Sequence, residues 1–313
     1  MSERTKYSGS VVIPLYNERD SLAELYRQLT TVMERTFTWH ELVFVDDGST
    51  DGSVDVLREI NGRDARVKII SFRRNYGKSA ALSEGFRVTR GDIVVTIDAD
   101  LQDNPEEIPE LVAKLDEGYD LVSGWKMQRR DPITKTLPSK LFNLTTALVS
   151  GIRIHDFNCG LKCYRGEVVK RISIYGELHR FIPVIAGWEG FRVTEKKVTH
   201  FERKYGQSKF GAARFLNGMF DLVTVMFLTR RATSPLHFFG RVAFGFFAVG
   251  GLITLYFLTL WILGRGLHVR PLMVGGFVMI VIAIQIGSFG LLAELFTSKV
   301  ERTFAYREYR IDD

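Results

Sequence analysis

Short apolar runs rich in β-branched residues alternate with amphipathic segments along the first part of the chain. These runs occupy positions 10–15, 41–46, 67–71, 93–97 and 120–123, and read SVVIPL, ELVFVD, VKIIS, IVVTI and DLVS. Their near-continuous apolar content predicts strands that are buried on both faces. Since helical patterns separate them, the order predicts an α/β domain with a mostly parallel sheet and helices on both faces. Ligands of such sheets bind at the carboxyl ends of the strands.

Polar and special residues mark where the intervening helices begin and end. Ser21 precedes an apolar stripe at helical spacing and is expected to cap the first helix. Asn104 is expected to cap a later helix whose first turn contains Pro105, and Gly118 is expected to end that helix.

A second hydrophobic pattern begins after position 235. Residues 242–263 and 272–296 are each long and apolar enough to span a bilayer, and only 264–271 separate them. This predicts a hairpin of two transmembrane helices. Glu294 interrupts the second span, and an intramembrane carboxylate is a functional candidate. Because Glu294 lies near the cytoplasmic end of the span, we favour a structural role in which it snorkels to the membrane surface or pairs with a juxtamembrane arginine.

Charge sets the expected topology. The chain of 313 residues has a formal net charge of +6, and basic residues are concentrated outside the hairpin rather than in its connecting loop. The positive-inside rule places both flanks in the cytoplasm, and the N-terminus has no apolar segment of the kind that directs secretion. We therefore expect a multi-pass protein of the cytoplasmic (inner) membrane with a cytoplasmic catalytic domain and C-terminus.

The expected organisation has four parts. Segment 211–235 mixes apolar clusters with polar residues, which predicts an amphipathic helix at the membrane interface or a helix packed within the soluble domain. Basic flanks suit anionic headgroups or a phosphorylated substrate, whereas no basic–aromatic motif indicates nucleic acid. The predicted parts are a catalytic domain (1–210), the juxtamembrane helix (211–235), two transmembrane helices (236–298) and a cytoplasmic tail (299–313).

The strongest chemical signal is the Asp98-Ala99-Asp100 sequence that follows a predicted buried strand. In an extended segment Asp98 and Asp100 would point the same way. Two close carboxylates repel each other unless a cation lies between them. Mg²⁺ and Mn²⁺ accept such oxygens together with phosphate oxygens. The pattern therefore predicts a divalent metal bound to a diphosphate, although the same tripeptide also occurs in solvated turns.

Three further segments follow predicted strands. Asp46 and Asp47 precede a glycine turn, where a carboxylate can accept hydrogen bonds from a base or a ribose, and a later residue can cap the next helix. Tyr16 follows a strand that is broken by Pro14. Lys78 follows another strand and could reach a phosphate. Taken singly, each segment is more often an ordinary loop.

The order and spacing of these four segments resemble the family 2 glycosyltransferases, which have the GT-A fold. Nearly the whole chain, including the hairpin, is similar to the polyprenyl-phosphate glycosyltransferases, the group of dolichol-phosphate mannose synthase and bactoprenol glucosyltransferases. The resemblance implies that a first set of residues holds the nucleoside: Pro14, Tyr16, Glu18, Asp46 and Asp47. It implies that Asp98, Asp100 and Gln102 bind the metal.

Two later segments also match this group. The run from Arg203 to Lys209 resembles the family's R-x-x-G-x-S-K sequence, which implies that both cations bind the donor diphosphate or the acceptor phosphate. Asp156 falls where the family has an acidic acceptor-site motif. Because the further acid that the family often has near Cys159 is missing, Asp156 is the better candidate for the catalytic carboxylate. Either Asp103 or Asp156 would orient the acceptor.

The implied reaction is the inverting transfer of a sugar from a UDP- or GDP-linked donor to a polyprenyl phosphate such as undecaprenyl phosphate. A phosphate monoester is largely a dianion at neutral pH, so the main requirement is stabilisation of the leaving diphosphate by the metal and by cations. The resemblance also suggests a homo-oligomer and a separate flippase partner. The sugar and the nucleotide stay open at this stage.

Two other functions compete with this interpretation. A processive membrane polysaccharide synthase would usually have more spans and a Q-x-x-R-W sequence, and the chain contains no such sequence. A non-catalytic subunit that binds a nucleotide-sugar would be expected to have lost the acidic metal site, which is intact here.

Overall fold

Seven strands form one sheet in the N-terminal part of the molecule. The computed structural model describes residues 5–126, 143–148, 150–201, 235–264 and 270–304, and the chain divides into two units, Met1–Val225 and Met226–Asp313. The strands are β1 (Gly9–Leu15), β2 (His40–Asp46), β3 (Val67–Ser71), β4 (Ile93–Thr96), β5 (Leu121–Trp125), β6 (Lys162–Arg165) and β7 (Val193–Lys197).

Helices connect these strands and follow them. The first unit contains α1 (Arg19–Thr36), α2 (Ser53–Arg63), α3 (Lys78–Val88), α4 (Ile108–Asp116), α5 (Gly166–Arg171) and α6 (Ile182–Trp188). Two short 3₁₀ helices, Pro105–Glu107 and Leu178–Phe181, precede α4 and α6. The second unit contains α7 (Pro235–Ile262) and α8 (Pro271–Phe304).

The sheet has the order β3-β2-β1-β4-β6-β5-β7. Only β6 runs antiparallel to its neighbours, β4 and β5, whereas the other strand pairs are parallel. The predicted mostly parallel α/β sheet is therefore confirmed, and the carboxyl ends of six strands lie at one edge. The strands β6 and β7 were not predicted because their sequences, KCYR and VTEKK, are short and rich in charge.

Helix boundaries agree with the predictions at two positions and disagree at one. The side chain of Asn104 accepts a hydrogen bond from the Glu106 N–H (3.2 Å), as a helix cap does. Gly118, with φ of 101°, follows α4 and donates its N–H to the Leu115 carbonyl (3.0 Å). The predicted cap at Ser21 was wrong. Helix α1 begins at Arg19, and the Ser21 hydroxyl donates to the Glu18 carbonyl within its first turn (2.8 Å).

Both faces of the sheet are covered, which explains the near-continuous apolar strands. In β1, Val11 and Ile13 belong to one buried cluster with the apolar stripe of α1, whereas Val12 belongs to a second cluster with α3, α5 and α6. Helix α3 lies so close to the sheet that a methyl group on Gly85 would overlap Val12 and press on Val45. This close approach depends on the absence of a side chain at Gly85.

The second unit is an antiparallel pair of apolar helices. Leu236–Ile262 and Pro271–Leu295 are long and apolar enough to cross a membrane. Small residues allow the two backbones to meet, since a Cβ on Gly250 would lie 2.7 Å from the Gly276 carbonyl. The predicted pair of apolar helices is therefore present, with α7 beginning before position 242. The juxtamembrane segment 211–235 lies outside the described residues except for Pro235, which begins α7.

Glu294 bonds to the other helix of this pair. Its Oε2 accepts a hydrogen bond from the backbone N–H of Leu236 (3.2 Å), in the first turn of α7. The first N–H groups of a helix have no partner within it, and an unpaired donor is costly in an apolar medium. The carboxylate of Glu294 thus caps α7 from α8, a structural contact to backbone that differs from the expected arginine pair.

We predict that Gly85→Ala destabilises the catalytic unit, whereas Gly62→Ala does not. The added methyl at position 85 forces α3 away from the sheet, and overpacking of this kind costs about 1–3 kcal/mol. Gly62 lies in α2 with open space where a Cβ would stand, so alanine should add up to about 1 kcal/mol of helix stability. Thermal unfolding of both variants in detergent measures the difference. Equal melting temperatures for the two variants would contradict the packing argument.

Candidate active site

The loops after β1 and β2 are joined side by side at the carboxyl edge of the sheet. The side-chain oxygen of Asn17 accepts a hydrogen bond from the Thr50 N–H (2.8 Å), and the Ser49 hydroxyl oxygen accepts one from the Asn17 N–H (2.8 Å). Asn17 has φ of 56°, a left-handed conformation that asparagine tolerates better than most residues. Glu18 is held in the same way, because its N–H donates to Ser53 (3.3 Å).

This arrangement positions three of the residues that were predicted to hold the nucleoside. Pro14, Tyr16 and Glu18 are all partly exposed at the end of β1 and in the loop that follows it. Because the second loop is bonded to the first, the groups of both loops are presented along one stretch of the sheet edge. Their contact with a nucleoside stays a prediction.

Asp46 and Asp47 are buried, and each organises backbone around it. Asp46 accepts hydrogen bonds from the Ser49 N–H (3.1 Å) and the Ser71 hydroxyl (3.0 Å). Asp47 accepts from the N–H groups of Tyr76 and Gly77 (2.7 and 2.9 Å). Burial raises the pKa of Asp47, the two N–H groups oppose this shift, and the nearby charge of Asp46 adds to it. Asp47 therefore fixes the loop that leads into α3.

That loop delivers Lys78 to the predicted metal site. Gly77, with φ of 93°, precedes α3, and Lys78 is the first residue of the helix. The Lys78 ammonium lies 2.5 Å from Oδ1 of Asp98, with about a third of each side chain exposed. Lys78 was expected to reach a phosphate, and the structure brings it to the carboxylate that is expected to bind the metal on that phosphate.

The backbone from Asp98 to Gln102 turns rather than extends. Strand β4 ends at Thr96, Asp100 lies in a turn, and Leu101 has φ of 59°. The extended geometry on which the parallel orientation of Asp98 and Asp100 was predicted is therefore wrong. Oδ1 of Asp100 accepts the Gln102 N–H (3.2 Å). The three predicted metal ligands therefore lie on one turn of five residues.

The donor chemistry of these three residues fits a hard divalent cation. Carboxylate oxygens from Asp98 and Asp100 and the amide oxygen of Gln102 are the ligand types that Mg²⁺ and Mn²⁺ prefer. No cluster of three His, Cys, Asp or Glu side chains with metal-binding geometry occurs among the described residues.

Asp103 lies deeper, against a buried cation. Its Oδ1 is 2.7 Å from Nζ of Lys126 and 3.7 Å from Nδ1 of His200. Burial alone would raise the pKa of Asp103, but Lys126 and His200 hold it well below its usual range. Burial would likewise lower the pKa of Lys126, and Asp103 raises it far above its usual range. The structure therefore places Asp103 as the anchor of Lys126, and its predicted catalytic role stays a prediction.

Asp156 enters the site on a loop that touches Asp98. Asp156 is almost fully buried, and its Oδ1 accepts the Asn158 N–H (3.0 Å). A Cβ on Gly160 would stand 2.5 Å from Oδ2 of Asp98, so only glycine allows this approach. The Thr96 hydroxyl donates to the Gly160 carbonyl (2.8 Å) and holds the turn in place. Gly160 therefore brings the loop that bears Asp156 against the predicted metal ligand Asp98, and the role of Asp156 stays a prediction.

A small recess beside Asp98 is bordered by basic side chains, some of which were not predicted as site residues. It is lined by Lys78, Asp98, Gly160, Lys162, His179 and Arg180, among others. Lys162 lies in β6 and is only 4% exposed. The available signal was weak, because Lys162 follows the apolar Leu161 but begins a strand whose sequence, KCYR, is rich in charge. It was missed because β6 itself was not predicted.

Two predicted phosphate-binding residues, Arg203 and Lys209, lie outside the described residues, as does most of the loop that follows Lys126. Their roles stay predictions. Lys126 is the last residue described before that loop.

Comparisons with known proteins agree on a family. The model of a family described as Glycosyl transferase family 2 matches residues 10–173. The dodecaprenyl-phosphate galacturonate synthase of Rhizobium johnstonii is 36% identical over 305 residues, covering 96% of this chain and 89% of that protein. The undecaprenyl-phosphate 4-deoxy-4-formamido-L-arabinose transferase of Pseudomonas paraeruginosa is 42% identical over 252 residues, covering 80% and 73%.

Solved structures agree on the fold. The glucosyl-3-phosphoglycerate synthase of Mycobacterium tuberculosis, solved with Mn²⁺, UDP-glucose and phosphoglyceric acid, superposes with a TM-score of 0.54. The two chains are 20% identical, and the match covers 69% of this chain and 79% of the other. At that identity the likeness shows a shared GT-A architecture and carries no substrate with it.

We predict that Asp47→Asn loosens the loop before α3. The amide replaces one of two acceptor oxygens with a donor that faces a backbone N–H, and an unsatisfied buried donor costs about 1–3 kcal/mol. The measurements are the melting temperature and the rate of tryptic cleavage after the exposed Arg74. The matched control is Asp55→Asn, which changes an exposed carboxylate on α2. If cleavage after Arg74 is no faster in Asp47→Asn than in the control, Asp47 does not fix this loop.

Proposed function

The chain belongs to glycosyl transferase family 2 and is a glycosyltransferase, and on that premise we propose that it transfers a sugar from a nucleoside-diphosphate donor to a polyprenyl phosphate with the help of a divalent metal. The observation that carries this proposal is the meeting of three groups at one edge of the sheet: the Asp98–Gln102 turn, the Lys78 ammonium and the Asp156–Gly160 turn. These groups are suited to a diphosphate leaving group and an acceptor side by side.

The acceptor class rests on the relatives. Two proteins that this chain resembles over most of its length are named as transferases to dodecaprenyl or undecaprenyl phosphate. A lipid acceptor also gives a reason for two apolar helices in the same chain as the transferase domain. We therefore propose undecaprenyl phosphate or a related polyprenyl phosphate as the acceptor.

The donor is proposed to bind over the joined loops after β1 and β2. Tyr16 and Glu18 are held beside the second loop, and Asp46 and Asp47 order the backbone beneath it. UDP is our first choice of nucleotide and GDP the second. Uronic-acid and modified arabinose donors deserve testing first, because the names of the relatives contain those sugars.

Asp98, Asp100 and Gln102 would hold Mg²⁺ or Mn²⁺ against the donor diphosphate. Such a metal stabilises the negative charge that develops on the leaving group. Lys78 is positioned to support the same charge, since its ammonium is already beside Asp98. We propose that Arg203 and Lys209 add further phosphate contacts.

The transfer itself is proposed to proceed with inversion. An oxygen of the lipid phosphate attacks the anomeric carbon and forms the new C–O bond, while the bond to the diphosphate breaks on the opposite face. A phosphate dianion needs little help from a general base. Lys126, anchored by Asp103, is suited to hold the acceptor phosphate, and Asp156 is the candidate for orienting it.

The membrane arrangement is proposed from charge and length. The catalytic unit and the C-terminus would lie in the cytoplasm, α7 and α8 would span the inner membrane, and 211–235 would lie at its surface. A homo-oligomer and a flippase partner stay predictions from the family resemblance.

The test is a transfer assay with the full chain in detergent. Undecaprenyl phosphate, Mg²⁺ or Mn²⁺, and a panel of labelled UDP- and GDP-sugars are incubated with the protein, and label extracted into organic solvent is counted. We expect one donor to label the lipid, with loss of about 100-fold or more on Asp100→Ala or chelation, which corresponds to removal of the metal's charge stabilisation. Asp55→Ala, at an exposed position, should leave the rate unchanged.

Other outcomes would select other functions. A growing water-soluble polymer without labelled lipid would indicate a polysaccharide synthase. Binding of a nucleotide-sugar without any turnover would indicate a non-catalytic subunit. Labelled lipid that is insensitive to chelators would reject the metal while keeping the acceptor.

A further inference from the structure

Lys162 supplies a buried cation that the proposed mechanism does not yet use. It lies in β6 at the centre of the sheet, paired with Thr96 of β4 and Ser123 of β5, and is 4% exposed. Its ammonium donates a hydrogen bond to the Cys159 carbonyl. Within the described part of the chain that carbonyl is its one hydrogen-bond acceptor, although an ammonium has three N–H donors.

Another lysine shows what a purely structural ammonium looks like in this protein. Lys170 in α5 donates to the carbonyls of Phe86 (2.6 Å), Thr89 (2.9 Å) and Arg87 (3.2 Å), and so joins the end of α3 to α5. Its hydrogen bonds explain its presence. Lys162 is more deeply buried and has fewer such bonds, so packing alone gives no comparable reason for a charge there.

Burial makes this charge expensive. Removal from water lowers the pKa of Lys162, and the nearby charge of Lys78 lowers it further, while Asp156 and Asp98 act in the opposite direction. An apolar side chain of similar volume in place of a buried charge is often neutral or stabilising. A buried ammonium at this position therefore costs stability unless nearby acids compensate its charge.

The surroundings of Lys162 indicate what its charge acts on. Two successive carbonyls of the 156–160 turn are held from the sheet, that of Cys159 by Lys162 and that of Gly160 by Thr96. These bonds press Gly160 against the carboxylate of Asp98. The same recess is lined by Lys162 and Asp98. Lys162 thus bonds to the turn that follows Asp156 and lines the same recess as the carboxylate expected to bind the metal.

We propose that Lys162 is a positioning residue for sugar transfer, which holds the Asp156–Gly160 turn against Asp98 and offsets the combined negative charge of Asp98 and Asp156. This inference rests on the proposed function. In this proposal the ammonium reduces the repulsion between the two carboxylates and lowers the affinity of the site for a divalent cation, so that the cation can leave with the product.

The proposal predicts that replacement of Lys162 raises the affinity for the metal and lowers the turnover. Removing the charge leaves Asp98 and Asp156 less compensated, so the site attracts a divalent cation more strongly. Removing the hydrogen bond releases the turn, so the acceptor carboxylate loses its position and turnover falls. A merely structural lysine would instead weaken metal binding and turnover together when it is lost.

The experiment compares Lys162→Met, Lys162→Arg and Lys170→Met in the full chain in detergent. Mn²⁺ binding is titrated by electron paramagnetic resonance with and without UDP, kcat and KM are measured by lipid labelling, and folding is checked by thermal unfolding. For Lys162→Met we expect a Kd for Mn²⁺ that is about tenfold lower, as loss of one nearby charge in a partly screened site produces. We also expect kcat to fall by about 30-fold or more, with a smaller change in the donor KM.

The control variants separate charge from packing. Lys162→Arg keeps the charge and should keep the Mn²⁺ affinity and most of the turnover. Lys170→Met removes a carbonyl-bound ammonium elsewhere and should change melting temperature without changing the Mn²⁺ affinity.

Several results would overturn the inference. If a folded Lys162→Met variant binds Mn²⁺ as tightly as the wild type or more weakly, the charge of Lys162 does not act on the site. If its kcat is unchanged, Lys162 does not position the Asp156–Gly160 turn for transfer. Absence of Mn²⁺ binding by the wild-type chain would also reject it. Lipid labelling by the wild-type protein together with any of these results leaves the proposed function standing. Absence of labelling with the expected Mn²⁺ shift rejects the proposed function and with it the role of Lys162 in transfer, and leaves only the effect of its charge on the metal site.

Discussion

Burial of carboxylates is the constraint on which the site depends. The acidic side chains at the carboxyl edge of the sheet are largely shielded from water, and a buried carboxylate is tolerated only when donors or cations surround it. Three of these acids bind a specific partner. Asp47 accepts hydrogen bonds from the loop before α3, Asp98 pairs with the Lys78 ammonium, and Asp103 pairs with the Lys126 ammonium. The ordering of these loops is a consequence of satisfying their acids.

This constraint also explains why the site is continuous along the sheet. The parallel strands bring the loops to one edge, and hydrogen bonds and an ion pair then connect these loops to one another. Asn17 connects the first to the second, Asp47 connects the second to the third, and Lys78 connects the third to the turn after β4. Gly160 closes the series because its lack of a side chain lets the last loop touch Asp98.

The parts of this structure that could be predicted are those that depend on local pattern. Buried parallel strands and apolar helices have sequence periods that identify them, so β1 to β5 and the hairpin were found. Strands β6 and β7 were missed because antiparallel insertion and an edge position do not require an apolar run. The turn at Leu101 could not be predicted either, since a positive φ at leucine has no local signal and is imposed by the surrounding contacts.

Two polar residues show the limit of such reasoning most clearly. Glu294 interrupts a long apolar span and was noticed in the sequence, whereas Lys162 begins the short, charged strand β6 and was missed. In three dimensions the Glu294 carboxylate meets an orphan N–H at the start of α7, so its presence is explained by the helix it caps. Among the described residues the Lys162 ammonium bonds to one carbonyl, and it lines the same recess as Asp98. The identity of the partner that a polar side chain meets, rather than its oddity in the sequence, therefore separates these two residues: an orphan backbone donor for Glu294 and a turn of the candidate site for Lys162.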